Sequence, residues 1–160
     1  MKVENYQVER LSARIYQFHS DGVRGNIEMI IIFTPLRDNA YNLGFGVWNE
    51  LLEKVDDSIE TRNGDTDKIL GTVAHTTLNF LSEIPEANIY ATGSCPMRTR
   101  KYQMGINKHL RDLKEIYKVQ GLVLDIHCPD ARIGAIPDWQ GEWQNLEPGV
   151  NYDAFLLSLK

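Results

Sequence analysis

In two stretches between Ile27 and Val47, apolar side chains recur at every second position, the period of a strand with one buried face. Ile27, Met29, Ile31 and Phe33 form such a row, closed by Pro35. Residues 14–20 carry Ile15, Tyr16 and Phe18. The link Asp21-Gly22-Val23-Arg24-Gly25 places glycines where a positive φ is least costly. The stretches on either side of this link are predicted to pair as a hairpin. Tyr41, Leu43, Phe45 and Val47 give a third strand. Its other face bears Gly44 and Gly46, the mark of a bulge or of a close backbone approach. Val55, Asp57, Ile59 and Thr61 are expected to add a fourth strand.

The spacing then changes to threes and fours. Ile69, Leu70, Val73, Ala74, Thr77, Leu78 and Leu81 fall on one stripe of a helix, with Asp65 or Thr66 as its cap and Pro85 as its stop. Asp67 sits in the first turn, where the helix dipole favours an acid. Residues 87–92 read as a buried strand. A second helix begins at Pro96, a residue suited to the first helical position, and carries Tyr102, Ile106, Leu110, Leu113 and Tyr117 along one face. A strand over 119–126 follows. The segment 127–149, rich in Pro, Gly and Trp, is expected to be an irregular loop, with a last short element over 150–159. This order predicts an α+β fold, a mixed and mostly antiparallel sheet with two main helices, in a single domain spanning 1–160.

Composition narrows the functional classes. With 160 residues, 42% hydrophobic and 24% charged, the chain is long enough for a sizeable core and unlike a disordered protein. Its formal charge of −5 argues against general nucleic-acid binding, which needs a basic surface to neutralise phosphate. Cys95 and Cys128 form no Cys-x-x-Cys motif, so neither a thioredoxin-type redox site nor structural zinc is signalled. Residues 1–11 lack the apolar core of a signal peptide, and the longest aliphatic run, 29–33, is too short to span a bilayer. The expectation is a cytoplasmic protein with reduced thiols and no membrane contact.

Two polar loops precede the two helices, where backbone N–H groups are unpaired. The first is Arg62-Asn63-Gly64-Asp65-Thr66-Asp67-Lys68. Its ordinary reading is a turn followed by a helix cap. As a ligand-facing loop it offers Asn63, Asp65 and Lys68, and its acids suit a divalent cation held by Asp56, Asp57, Asp65 and Asp67 better than a phosphate. The second runs from Gly93 through Ser94, Arg98 and Arg100 to Tyr102. Between Ser94 and Lys118 there are seven Lys or Arg against two Asp or Glu. The ordinary reading is a solvated helix face. The functional one is an anion site built from Ser94, the helix start, Arg98 and Arg100. A third reading pairs Arg98 or Arg100 with Asp56, Asp57 or Asp65.

The other candidates are weaker. Cys95 beside Arg98 at a helix start has the setting of a lowered thiol pKa, but free cysteines are more often packing residues. His19, His75, His109 and His127 are scattered, without the spacing of a catalytic triad. Trp139 and Trp143 make either an aromatic lip or a satellite core under a long loop. No Walker loop, Gly-x-Gly-x-x-Gly or His-Glu-x-x-His occurs.

The run Asn63-Gly64-Asp65-Thr66-Asp67-Lys68-Ile69-Leu70-Gly71-Thr72-Val73-Ala74 is one of three such stretches. The others are Gly93-Ser94 with Arg98-Thr99-Arg100-Lys101-Tyr102, and Asn151-Tyr152-Asp153-Ala154-Phe155-Leu156. Together they resemble an uncharacterised family of small bacterial proteins, the domain of unknown function DUF6934. The opening hairpin, Gly44-Phe45-Gly46 and Asp56-Asp57 fit the same pattern, while Cys95-Pro96-Met97 and 127–147 depart from it. The order of elements is also similar to the GNAT acyltransferases, strands then helix, strand, helix, strand. There Tyr102 would occupy the place of a catalytic tyrosine acting as general acid. Those enzymes hold a pyrophosphate with a glycine-rich loop ahead of the first helix, and this chain has one glycine and two aspartates there.

Three functional readings follow. The leading one is a binding or interaction module with its site between the 62–68 and 93–102 loops. The second is an acyl-CoA-dependent acyltransferase. The third is a Mg²⁺-dependent enzyme acting on nucleic acid through Asp56, Asp57 and Asp65, with Arg98 and Arg100 on phosphate. The sequence identifies no cofactor, and it leaves open a homodimer or another protein partner.

Overall fold

The computed structural model describes residues 3–56 and 62–160. Among these residues the elements are β1 (Glu9–Ser12), β2 (Ile15–Gly22), β3 (Gly25–Pro35), β4 (Ala40–Asn49), β5 (Lys54–Asp56), α1 (Thr66–Glu83), β6 (Asn88–Ala91), α2 (Pro96–Ile116), β7 (Tyr117–Leu124), a 3-10 turn (Ile136–Asp138), β8 (Gly141–Asn145) and β9 (Ala154–Leu159). The fold is α+β with a mixed, mostly antiparallel sheet, as the two hydrophobic periods predict. No described helix is long and apolar enough to cross a membrane. The chain divides into two compact units: Lys2–Thr34 with Leu43–Glu83, and Pro35–Asn42 with Ile84–Lys160.

In the first unit β2 and β3 form the expected hairpin, in register from Ile15 opposite Ile32 to Gly22 opposite Gly25. Tyr16, Phe18 and Ser20 alternate inward along β2, the period-two burial that fixes its register. Phe33 stacks on Phe80 of α1 with ring centroids 4.2 Å apart. The buried stripe of α1 is centred further round than the apolar spacing suggests. Thr72, Thr76 and Thr77 are buried, whereas Leu70, Ala74 and Leu78 are half-buried. Each of these threonines donates its hydroxyl to the carbonyl four residues back, so it enters the core with its polar atom satisfied. The N-terminal segment lies against α1 at Gly71, where a Cβ would stand 2.4 Å from the carbonyl oxygen of Glu4. Only glycine leaves room for that approach.

β1 is an addition to the predicted set, pairing antiparallel with β2. β5 is short and includes Val55, while Asp57, Ile59 and Thr61 of the expected fourth strand lie outside the described residues.

In the second unit the start of β4 pairs in parallel with β6, Ala40 opposite Asn88, and β6, β9, β7 and β8 then follow antiparallel. The C-terminal strand β9 is thus central, and it buries Ala154, Phe155, Leu156 and Ser158. α2 packs Leu110, with Tyr102, Ile106 and Leu113, against Val119, Leu146, Tyr152 and Phe155. Gly121 faces Tyr152 so closely that a Cβ would stand 2.3 Å from its ring.

The segment expected to be an irregular loop contains β8 and the 3-10 turn. Gly-Glu-Trp-Gln-Asn has little intrinsic strand preference. Its pairing with β7, and the edge-on contact of Trp143 with Tyr90 at 5.5 Å, define it instead.

Candidate functional site

The 62–68 loop is assembled around Asn63, whose surface is 2% exposed. Its side-chain amide donates to Ser20 Oγ at 3.0 Å and to the Gly25 carbonyl at 2.9 Å. Its side-chain oxygen accepts from the Arg24 N–H at 2.5 Å, and its main-chain oxygen from the Val23 N–H at 3.2 Å. Asn63 therefore grips the tip of the β2–β3 hairpin with both polar atoms of its side chain and with its main-chain oxygen. Gly22 permits the grip, because a Cβ there would stand 2.1 Å from the Asn63 oxygen.

Asp65 immediately precedes α1, and its carbonyl accepts the Ile69 N–H at 2.9 Å. Its carboxylate serves other elements. Oδ2 accepts the Tyr6 hydroxyl at 2.6 Å and the Ser20 hydroxyl at 2.5 Å, while Oδ1 is buried without a hydrogen-bond partner among the described residues. The Tyr6 hydroxyl in turn accepts from the Asp21 N–H at 3.0 Å. Burial, and then the bond to the Asp65 carboxylate, push the Tyr6 hydroxyl above its ordinary pKa. Lys68 completes the joint, with Nζ 4.2 Å over the Tyr6 ring and 3.6 Å from Glu4. Asn63, Asp65 and Lys68 thus hold the hairpin tip and the N-terminal segment onto the start of α1.

The 93–102 loop is built differently. Ser94, Cys95, Pro96 and Met97 are exposed, and Cys95 is a free thiol in extended backbone just before Pro96. Arg98 donates to Ser94 Oγ at 2.6 Å. Buried Thr99 accepts the Gly93 N–H at 3.2 Å, which folds the loop onto the first turn of α2. Arg100 donates to Gln103 Oε1 at 2.8 Å and to the Tyr152 carbonyl. Gln103 donates to the Val150 carbonyl and accepts the Tyr152 N–H at 3.1 Å. These two side chains bind α2 to residues 150–152. The Tyr102 ring packs against the Leu110 and Phe155 cluster.

The outward face of α2 carries a second pattern. Met97, Lys101, Met104, Lys108 and Arg111 are all exposed. At 100° per residue they fall within an arc of about 80°, opposite Thr99, Gln103 and Leu110. Met97 and Met104 are 64% and 69% exposed, so the ridge sets apolar side chains between cations.

The sequence profile of the family of unknown function DUF6934 matches residues 2–160. The chain belongs to that family. No curated protein and no solved structure matches it.

In this DUF6934 chain the nominated residues fall into two groups. Asn63, Asp65 and Lys68 belong to one compact unit, Ser94, Arg98, Arg100 and Tyr102 to the other. Asp56 ends β5 opposite Val47, and Asp57 lies outside the described residues. Among the described residues no three His, Cys, Asp or Glu side chains gather as a metal site would require.

The sequence reading missed Tyr6, Ser20 and Gln103. Tyr6 and Ser20 reach Asp65 across 59 and 45 positions, a separation with no local signal. Gln103 did leave one. It is a polar residue on the apolar face of a helix, flanked by Tyr102 and Ile106.

Proposed function

We propose that this DUF6934 protein is a small protein-binding module whose docking face is the outward ridge of α2. The observation that carries the reading is the placement of Met97 and Met104, seven residues apart and largely exposed, between Lys101, Lys108 and Arg111. Methionine is adaptable and apolar, suited to contact surfaces, and flanking lysines add reach and charge. Such a ridge fits a partner that offers apolar side chains bordered by carboxylates. The reading places the protein in the cytoplasm, where the free thiols Cys95 and Cys128 stay reduced.

The test is photocrosslinking in living cells, with a photoreactive residue at Met104 and, as control, at the still more exposed Val23. A discrete adduct at Met104, lost on Lys108→Glu and absent at Val23, is the expected result. The same adducts at both positions would sink the proposal.

A further inference from the structure

The charge of the chain is unevenly placed. The segment 94–118 has a surplus of five positive charges in a protein of formal charge −5, so the remainder is strongly acidic. Within that acidic remainder, the turn between β4 and β5 repeats the chemistry of the α2 ridge with the sign reversed. Glu50-Leu51-Leu52-Glu53 is exposed throughout, and Leu51 and Leu52 are 96% and 60% exposed. Leu51 and Leu52 are adjacent, so the turn presents a small continuous apolar surface to water. In the turn the Leu52 N–H donates to Asn49 Oδ1 at 3.1 Å, and Glu53 adopts φ 48°. Lys54 opens β5 directly behind it.

We infer that a second copy of this chain is a partner of the α2 ridge: Leu51 and Leu52 of one copy dock against Met97 and Met104 of another, with Glu50 and Glu53 facing Lys101 and Lys108. This rests on the proposed role of α2 and names its occupant. Apolar surface meets apolar surface, and each flanking charge meets its opposite, so the contact is complementary in both respects. Nucleic acid fits less well, since phosphates engage the cations and leave both methionines in water. An anionic membrane fits less well for a different reason. The ridge holds two apolar residues, far fewer than the broad apolar face of a helix that lies in the interface. The turn and the ridge are different surfaces, so the contact is heterologous and each copy keeps one of each. A small patch of this kind makes a weak association that depends on concentration and salt.

The experiment is sedimentation velocity of the full chain over micromolar to millimolar concentrations, at low and at high salt. Wild type is expected to gain average mass with concentration and to lose that gain in high salt. E50K/E53K and K101E/K108E should each weaken self-association about tenfold or more, with a thermal melt of each variant to check that the fold is kept. An equimolar mixture of the two variants should associate again, since one retains a native ridge and the other a native turn. L51S/L52S supplies a second disruption that leaves the charges alone. A monomer at every concentration overturns the inference, and so does a mixture that fails to associate. Loss with K101E/K108E but not with E50K/E53K overturns it too, while leaving α2 as a docking face for another partner. A wild-type monomer whose α2 ridge binds anionic vesicles or an oligonucleotide assigns the face to those ligands and removes the second copy.

Discussion

Ahead of α1, Asn63 is buried and every polar group on its side chain is engaged by the hairpin tip; ahead of α2, Ser94, Cys95, Pro96 and Met97 all face solvent. Both stretches combine Gly with polar residues just before a helix, and by composition they are interchangeable candidates for a site. What separates them is the origin of their partners. The first receives groups from the N-terminal segment and the β2–β3 turn, which engage the Asn63 side chain and Oδ2 of Asp65. In the second, Arg100 and Gln103 are tied to residues 150–152, and buried Thr99 closes the loop on its own start at Gly93. The outward side chains form a surface. A polar loop at a helix start is thus a joint or a face according to what folds back onto it.

The largest effect should come from Asn63→Ala. It removes three side-chain hydrogen bonds in a buried place and leaves Ser20, Gly25 and Arg24 short of partners, for a loss of about 2–4 kcal/mol in urea unfolding. A change within about 0.5 kcal/mol would break the distinction drawn here. Gln103→Leu should follow at about 1–3 kcal/mol, because it orphans the Val150 carbonyl, the Tyr152 N–H and one Arg100 contact.

Tyr6→Phe sharpens the same comparison through pH. The folded-state pKa of Tyr6 is raised, so its neutral form is favoured in the native protein. Its contribution is complete below about pH 10, the unfolded value, and is lost as pH rises through the higher folded one. Tyr16 and Tyr90 are raised by burial and act in the same direction. Wild type should therefore lose stability above pH 10 more steeply than Tyr6→Phe, which a series of melting curves from pH 8 to pH 11 would measure. Parallel curves would show that Tyr6 does not titrate differently in the folded state. The smallest effect belongs to Lys108→Glu on the exposed ridge, within about 0.5 kcal/mol in thermal melting. A larger loss would mean that the ridge is structural.

The parts of the fold that local chemistry determines were legible in the sequence. The Gly22–Gly25 turn, Pro96 at the start of α2 and the two helical stripes each follow from residues close together in the chain. What escaped was set from a distance. β8 is polar and owes its form to β7 and Tyr90; β1 carries a single apolar residue, Leu11, and is a strand because β2 pairs with it. The site reading followed the same rule. The polar loops were visible, but the contacts that make one of them a joint come from Tyr6 and Ser20, for which Asp65 gives no local cue.

The division into two units has a practical consequence for following the protein as it unfolds. The chain passes from one unit to the other after Thr34, after Asn42 and after Glu83, so no single cut yields either unit as a continuous fragment. Their stabilities must be resolved spectroscopically in the intact chain, and the tryptophans are distributed for that purpose. Trp48 on β4 reports from one unit, while Trp139 and Trp143 report from the other. A variant retaining Trp48 and another retaining Trp143 would give two emission curves against denaturant. Coincident midpoints would mark one cooperative transition, and separated midpoints two.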